Sequence, residues 1–248
     1  MQAQPPTLKP KFVFFHVGPD LSMPSMLAQT IRLTNPRAEI IHCTDRVTPA
    51  IEGVDWVHRD ELDTSRLMTA RLQVFSSLGL SEPALYLDTD MLVIKPIDVL
   101  GLLEDKRVSF CARSFNFYGP FIGSQRGLDF NEYAGQPLGE VYPYVACSTA
   151  TQDHTVWGEL VLSLQSLDPK FAVWYGDQEA MKVWARTHPN QMKTHPESRF
   201  GCLPEEKTHL KEASVLHFKG AARKALMHRV FGAIIPSATL DNRAKEDI

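Results

Sequence analysis

ALYLDTDMLV, residues 84–93, places two aspartates between two apolar runs. Short apolar runs of this kind are typical of strands buried inside an α/β protein. Two carboxylates within such a run are costly to bury unless they bind something. Asp88 and Asp90 stand just beyond a strand at positions i and i+2, where they could converge on one hard cation at the carboxyl edge of a sheet. The motif therefore predicts a metal site; the alternative is a solvated turn between two strands.

Apolar runs alternate with helical patterns on both sides of this motif, which predicts an α/β fold with a mostly parallel central sheet. We expect one domain over residues 1–248, with a long loop or acceptor-side insertion at about 114–141. Ser22 is expected to cap a helix that ends at Thr34. The other predicted elements are strands at 12–17, 38–43, 54–58, 84–87, 91–94, 108–113, 144–150 and 215–218, and helices at 64–79, near 100, at 155–167 and from 177.

The composition excludes several classes of protein. The 248 residues carry a formal net charge of -3, whereas a nucleic-acid binder normally has a basic surplus. No apolar stretch approaches the roughly 18 residues that span a bilayer, and residues 1–12 lack the apolar core of a signal peptide. We therefore expect a cytoplasmic protein with at most peripheral membrane contact. The cysteines form no C-x-x-C pair, and we expect reduced, buried thiols; they are Cys43, Cys111, Cys147 and Cys202.

Three further groups of residues could carry chemistry. His217 ends the apolar run VLHF and could complete a metal shell, although a lone strand histidine is more often a core residue. Gly220 and the cations after it could hold a phosphate, or could form a basic surface turn. Arg71 lies near the apolar side of a helix, where its alternative is to cover the helix edge. Asp177 could bind a ligand or simply cap the helix that it begins.

These blocks together resemble the retaining GT-A glycosyltransferases of family 8, which include bacterial lipopolysaccharide galactosyl- and glucosyltransferases and glycogenin. ALYLDTDMLV matches with the Ala70-Arg71-Leu72 helix upstream of it, Asp177-Gln178 matches the family's Asp-Gln step, and His217-Phe218-Lys219-Gly220 matches its C-terminal His-Phe-x-Gly. The blocks span residues 12–224. The chain departs from the family at Cys147-Ser148-Thr149, where the family has Asn-x-Gly, and in lacking the tryptophan that follows the family's C-terminal Lys-Pro.

The resemblance implies a Rossmann-like GT-A fold that binds a nucleotide diphosphate sugar, expected to be a UDP-hexose. Asp88, Asp90 and His217 would hold Mn²⁺ or Mg²⁺, and Asp88 would also lie near the ribose. Arg71 would orient the aspartates and approach the donor sugar, Asp177 would hold the sugar hydroxyls, and Gln178 would lie beneath the anomeric carbon. Thr89 and Lys219 would belong to the donor site, with Gly220 and Arg223 at the β-phosphate. The base and ribose would contact His16, Val17, Gly18, Thr44 and Asp45.

The resulting expectation is metal-dependent transfer of a hexose to a glycan, lipopolysaccharide or other acceptor, with retention of anomeric configuration. An inverting enzyme on the same fold would need a carboxylate base, for which Glu179, Asp153 and Asp129 are candidates. A catalytically silent nucleotide-binding domain is a second alternative. A sugar nucleotidyltransferase is a third, although HVGPDLSMP is a poor match to the Gly-rich phosphate loop which that chemistry usually requires.

Overall fold

The computed structural model describes residues 9–115, 120–125 and 127–246, with 236–246 described through their backbone alone. The strands are β1 (Lys11–Phe15), β2 (Glu39–Thr44), β3 (Trp56–Arg59), β4 (Ala84–Leu87), β5 (Met91–Val93), β6 (Val108–Ala112), β7 (Ser124–Gln125), β8 (Leu128–Asp129), β9 (Tyr144–Thr151), β10 (Met192–Pro196) and β11 (Val215–His217). The helices are α1 (Ser22–Thr34), α2 (Leu67–Ser77), α3 (Val99–Leu103), α4 (Leu138–Val141), α5 (Thr155–Gln165), α6 (Gly176–Thr187), α7 (Glu197–Phe200), α8 (Lys207–Leu210) and α9 (Ala221–Glu246).

The central sheet has seven strands in the order β10-β6-β9-β4-β1-β2-β3. Within it, β9 alone runs antiparallel to its neighbours, β4 and β6, so the predicted mostly parallel sheet is confirmed. The edge strand β10 was not predicted, because MKTHP has three polar residues in a row and ends in a proline. Such a sequence is tolerated at a sheet edge and gives little apolar signal.

Helices cover both faces of this sheet, which explains why β1 reads as one continuous apolar run. Phe12 and Phe14 point to the face packed by α1 and α3, whereas Val13 points to the face packed by α2, α5 and α6. A separate two-stranded ribbon pairs β11 antiparallel to β5, with His217 opposite Met91. The main-chain N–H of Phe218 donates to the carbonyl of Asp90 at 2.8 Å. This ribbon therefore carries the C-terminal histidine back to the D-x-D motif.

Two local expectations need correction. Ser22 begins α1 but does not cap it, since Asp20 Oδ1 accepts from Ser22 N at 3.0 Å and from Ser22 Oγ at 2.6 Å. The segment 114–141 is not simply a loop, because it contains the β7–β8 hairpin and α4. It packs in an apolar cluster together with Tyr142 and Phe171, which follow the segment in the chain. The sequence hides this cluster because aromatic residues supply it without regular spacing; residues 116–119 and 126 lie outside the described residues. The cluster comprises Phe121, Phe130, Leu138, Val141, Tyr142 and Phe171.

Among the described residues, none of the helices has the length and apolar character needed to cross a lipid bilayer.

Gly176, the first residue of α6, is packed so closely that any side chain would collide with the main chain. A Cβ there would lie 2.0 Å from the carbonyl oxygen of Phe171. We expect Gly176→Ala to lower the free energy of unfolding by about 1–3 kcal/mol or more, because the backbone must move to relieve the overlap. Urea denaturation measures this loss.

Gly232→Ala is the matched control. A Cβ at Gly232, in the exposed middle of α9, meets nothing within 4 Å. The replacement should raise stability by up to about 1 kcal/mol through helix propensity. Equal effects of the two substitutions would contradict the packing of α6 described above.

Candidate functional site

Asp88, Asp90 and His217 lie together at the carboxyl end of β4. Asp88 follows the last residue of that strand, and its N–H donates to the carbonyl of Cys147 at 2.9 Å. His217 ends β11, and its Nε2 is 3.3 Å from Asp90 Oδ1. One potential ligand atom from each of the three residues lies within 4.8 Å of the other two. The structure thus brings together the three residues that the sequence predicts as metal ligands.

The spacing and chemistry of these atoms fit a small divalent cation. Ligands bound at about 2.1 Å in octahedral geometry are separated from one another by about 3–4 Å, so small side-chain rotations suffice to close the shell. Within the described residues, Nδ1 of His217 is buried and has no hydrogen-bond partner. Two carboxylates with one imidazole suit Mn²⁺ as well as Mg²⁺, since imidazole ligation favours the transition metal.

The protein shifts the pKa values of the two aspartates in opposite directions. Burial and the neighbouring Asp90 carboxylate raise the pKa of Asp88 more than Arg71 lowers it. Burial would also raise the pKa of Asp90, but the hydrogen bond with His217 and the nearby Lys224 outweigh it and lower that pKa to about 2. Burial opposes protonation of His217, yet Cys147 and Asp90 outweigh it and raise the pKa of His217 to about 10. A cation that binds His217 would have to displace this proton, so metal binding at the triad should release protons.

Arg71 connects this triad to α6. Its Nη1 donates to Asp88 Oδ1 at 2.6 Å, and its Nη2 pairs with Asp177 Oδ2. The side chain of Asp177 is 0% exposed and that of Arg71 only 12%. The attraction of both carboxylates outweighs burial and raises the pKa of Arg71. Arg71 therefore does not cover a helix edge, and Asp177 is held by more than a helix cap.

A cavity of about 900 Å³ opens over these residues, at the upper end of the range for small-molecule sites. One wall carries the triad with Arg71, and another carries Asp177 and Gln178 at the start of α6. Much of the apolar lining comes from the 114–141 segment and the residues just before α6; it includes Pro120, Phe121, Ile122, Leu138, Trp174 and Tyr175. The predicted site residues in the lining are His16, Val17, Arg71, Asp88, Thr89, Asp90, Asp177, Gln178, His217, Lys219 and Gly220.

Four predicted donor-site residues lie outside this lining. The N–H of Gly18 donates to Thr48 Oγ1 at 2.9 Å, and Asp45 Oδ1 accepts from the N–H of Thr48 at 2.7 Å. Thr44 is completely buried at the end of β2. Arg223 pairs with Glu205 and also donates to the carbonyl of Lys219. The predicted contacts of these four residues with a nucleotide stay predictions.

Arg113 lines the cavity and was not predicted as a site residue. Of the two adjacent cations expected to hold a phosphate, Lys224 lines the cavity, with its Nζ 3.6 Å from Asp90 Oδ2, whereas Arg223 does not. Which residue of the pair faces the cavity depends on the residue at which α9 begins, and sequence does not fix that. The sequence did contain an indication that Arg113 belongs to the site, because it is a charged residue at the carboxyl end of the apolar run VSFCAR.

The three carboxylates considered as catalytic bases of an inverting enzyme do not line the cavity. Glu179 is buried and pairs with Lys182 at 2.6 Å on another face of α6. Asp153 accepts from the N–H of Thr155 at 2.8 Å, and Asp129 accepts from the N–H of Asn131 at 2.8 Å.

Comparison with known proteins supports the architecture. A similar solved structure is the crystal structure of a glycosyltransferase involved in the glycosylation of the major capsid of PBCV-1. The two chains are 13% identical, the match covers 89% of this chain and 100% of the other, and the TM-score is 0.56. At this identity the likeness concerns the fold, and it confirms the predicted Rossmann-like α/β architecture. No protein-family model and no curated protein sequence matches the chain.

Replacing Arg71 should destabilise the protein strongly. Arg71→Met leaves the fully buried carboxylate of Asp177 without its cation, and the free energy of unfolding is expected to fall by about 3–5 kcal/mol. Adding Asp177→Asn should recover part of this loss, because the uncompensated charge is then removed. Urea denaturation followed by tryptophan fluorescence measures both effects. A loss below about 1 kcal/mol, or no recovery in the double variant, would contradict the buried pair.

The triad should bind one Mn²⁺ per chain, since its three ligand atoms lie within 4.8 Å of one another. We expect Asp90→Asn and His217→Ala each to weaken binding at least tenfold, because each removes one ligand. Electron paramagnetic resonance of free Mn²⁺ measures this directly. Asp105→Asn is the control, because the side chain of Asp105 is 80% exposed. Unchanged affinity in both triad variants would place the ion elsewhere.

Proposed function

We propose that the protein is a metal-dependent glycosyltransferase that moves a hexose from a UDP-sugar to a glycan or glycolipid acceptor with retention of configuration. The observation that carries the proposal is the convergence of Asp88, Asp90 and His217 beneath a cavity whose other wall holds Asp177 and Gln178. The fold supports the assignment, and so does the ordered resemblance of the motif blocks to glycosyltransferase family 8.

The cation end of the cavity suits the diphosphate of such a donor. A divalent ion bound by the triad supplies charge that neutralises the departing diphosphate. Gly220 has φ of 87°, a conformation that favours glycine, and it lets the main chain approach a phosphate closely. Ala221, the first residue of α9, also lines the cavity, which places the start of this helix beside the site. Lys224, whose Nζ lies 3.6 Å from Asp90 Oδ2, adds a positive charge there.

The second wall suits the sugar. The buried carboxylate of Asp177 is held by Arg71 and by the N–H of Gln178, which donates to Asp177 Oδ1 at 2.7 Å. This carboxylate fixes the start of α6, so that the side chain of Gln178 meets the sugar. In the proposed reaction an acceptor hydroxyl attacks the anomeric carbon on the face from which the diphosphate leaves. The bond between that carbon and the phosphate oxygen breaks, and the departing oxygen takes the hydroxyl proton. Lys224 and the α9 terminus stabilise the negative charge that develops.

The small number of carboxylates that line the cavity favours a mechanism with retention of configuration. In the described part of the chain, the only acidic side chains that line the cavity are those of Asp88, Asp90 and Asp177. Two of these are proposed metal ligands, and the third is held by Arg71. The neighbouring segments outside the described residues, NFYG at 116–119 and Arg126, contain no acidic residue. An inverting mechanism would therefore lack the base that it requires.

A panel of sugar nucleotides tests the proposal. With Mn²⁺ present, the correct donor should stabilise the protein by about 2.7 kcal/mol at one hundred times its dissociation constant. The wild type should also hydrolyse that donor slowly to nucleoside diphosphate, and Asp90→Asn should lose both effects. Asp105→Asn, on the exposed surface, should retain them.

The remaining outcomes separate the alternatives. Binding without turnover would indicate a silent nucleotide-binding domain, and exchange of label with pyrophosphate would indicate a nucleotidyltransferase. NMR of the product formed from an α-linked donor should show an α-linkage, and a β-linkage would refute retention. No response to any sugar nucleotide would refute the proposed function as a whole.

A further inference from the structure

Arg113 joins three parts of the cavity wall through two hydrogen bonds. It follows the last residue of β6, and its Nε donates to the carbonyl of Tyr142 at 2.8 Å. Its Nη2 donates to the side-chain oxygen Oε1 of Gln178 at 2.7 Å. Both Arg113 and Gln178 line the cavity. The end of β6, the residue that follows α4 and the start of α6 are thus connected by one guanidinium.

The main chain around this contact is well fixed. The N–H of Arg113 donates to the carbonyl of Pro143 at 2.8 Å. Tyr142 is fully buried, and its ring stacks on Tyr175 with centroids 4.7 Å apart and planes 21° apart. Tyr175 precedes α6 in a left-handed conformation with φ of 61°. The acceptor carbonyl and the helix that carries Gln178 are therefore both held in place, so the guanidinium bridges two rigid groups.

The contact determines which way the amide of Gln178 faces. A guanidinium has donors and no acceptor, so the group that meets it must be the amide oxygen. That oxygen accepts a charge-assisted hydrogen bond, and the main-chain N–H of Gln178 is used by Asp177. Within residues 9–115, 120–125 and 127–235, nothing accepts a hydrogen bond from Nε2 of Gln178. The amide nitrogen is thus the atom left to serve a ligand.

We infer that Arg113 is a positioning residue which makes Gln178 a hydrogen-bond donor to the substrate. This inference rests on the proposed glycosyl transfer. Because Oε1 accepts a charge-assisted hydrogen bond, its electron density is drawn toward the guanidinium and it is a weaker nucleophile, although its second lone pair is not used by Arg113. The geometry therefore favours Gln178 as a donor: its N–H groups orient an oxygen of the donor sugar or of the incoming acceptor.

A kinetic double-mutant cycle on donor hydrolysis tests this role. Gln178→Ala and Arg113→Met should each lower kcat by about a hundredfold, as expected for loss of orientation. Donor affinity, measured by calorimetry with Mn²⁺, should change by less than about threefold. The double variant should be no slower than Gln178→Ala alone, because Arg113 acts through Gln178. Arg113→Lys should restore part of kcat, since an ammonium reaches one of the two acceptors.

The control and a second readout distinguish the possible failures. Arg37→Met removes an exposed arginine between α1 and β2 and should leave kcat unchanged. In NMR of the free protein, the side-chain amide signal that is missing from Gln178→Ala should shift in Arg113→Met and stay in place in Arg37→Met. An unmoved signal, or multiplicative losses of kcat in the double variant, would overturn the positioning role. Absence of hydrolysis in the wild type would instead refute the proposed function.

Discussion

The ion pairs of Arg71 are the interaction on which the rest of the candidate site depends. One guanidinium on α2 reaches Asp88 at the end of β4 and Asp177 at the start of α6. The carboxylate of Asp177 is completely shielded from water, and such a charge is tolerated only with a partner of opposite sign. The position of α6 is thereby tied to the sheet by charge as well as by apolar packing. Arg71 consequently fixes the position of the metal ligand Asp88 relative to the proposed sugar-binding wall.

Around this point the cavity is divided by chemistry. Lys219 and Lys224 line it near the start of α9, whereas Phe121, Trp174 and Tyr175 line it from the 114–141 segment and from the residues before α6. The antiparallel strand β9 lies between β4 and β6 in the sheet. Its pairing with β6 shifts register between Phe110 and Cys111, from Phe110↔Thr149 to Cys111↔Val145. The residues of β9 between these pairs bulge from the ladder, and Ala146 and Cys147 line the cavity there. The bulge therefore brings two small side chains of the sheet to the surface of the site.

Much of this architecture was accessible from sequence because burial on both faces of a sheet leaves continuous apolar runs. The D-x-D motif stands at the end of such a run, which predicts its place at the carboxyl edge of the sheet. His217 ends another apolar run, but it reaches the motif through the separate ribbon of β5 and β11, whose pairing the sequence did not predict. The contact between Arg113 and Gln178 was not accessible, because its partners are 65 positions apart and local spacing carries no information about them. Arg223 was chosen over Lys224 for the phosphate, because one residue of helical phase decides which of two adjacent cations lines the cavity. The strand β10 was missed because edge strands need little apolar surface.

The pairing of β11 with β5 also has a consequence for the order of events during synthesis. Both aspartates leave the ribosome when less than half of the chain has been made, whereas His217 emerges more than a hundred residues later. The central sheet needs nothing beyond β10 to assemble. A nascent chain that has reached the end of β10 can therefore form its sheet before His217 is available as the third ligand. The last ligand arrives on a ribbon separate from the sheet, so a folded but incomplete chain carries no finished metal centre.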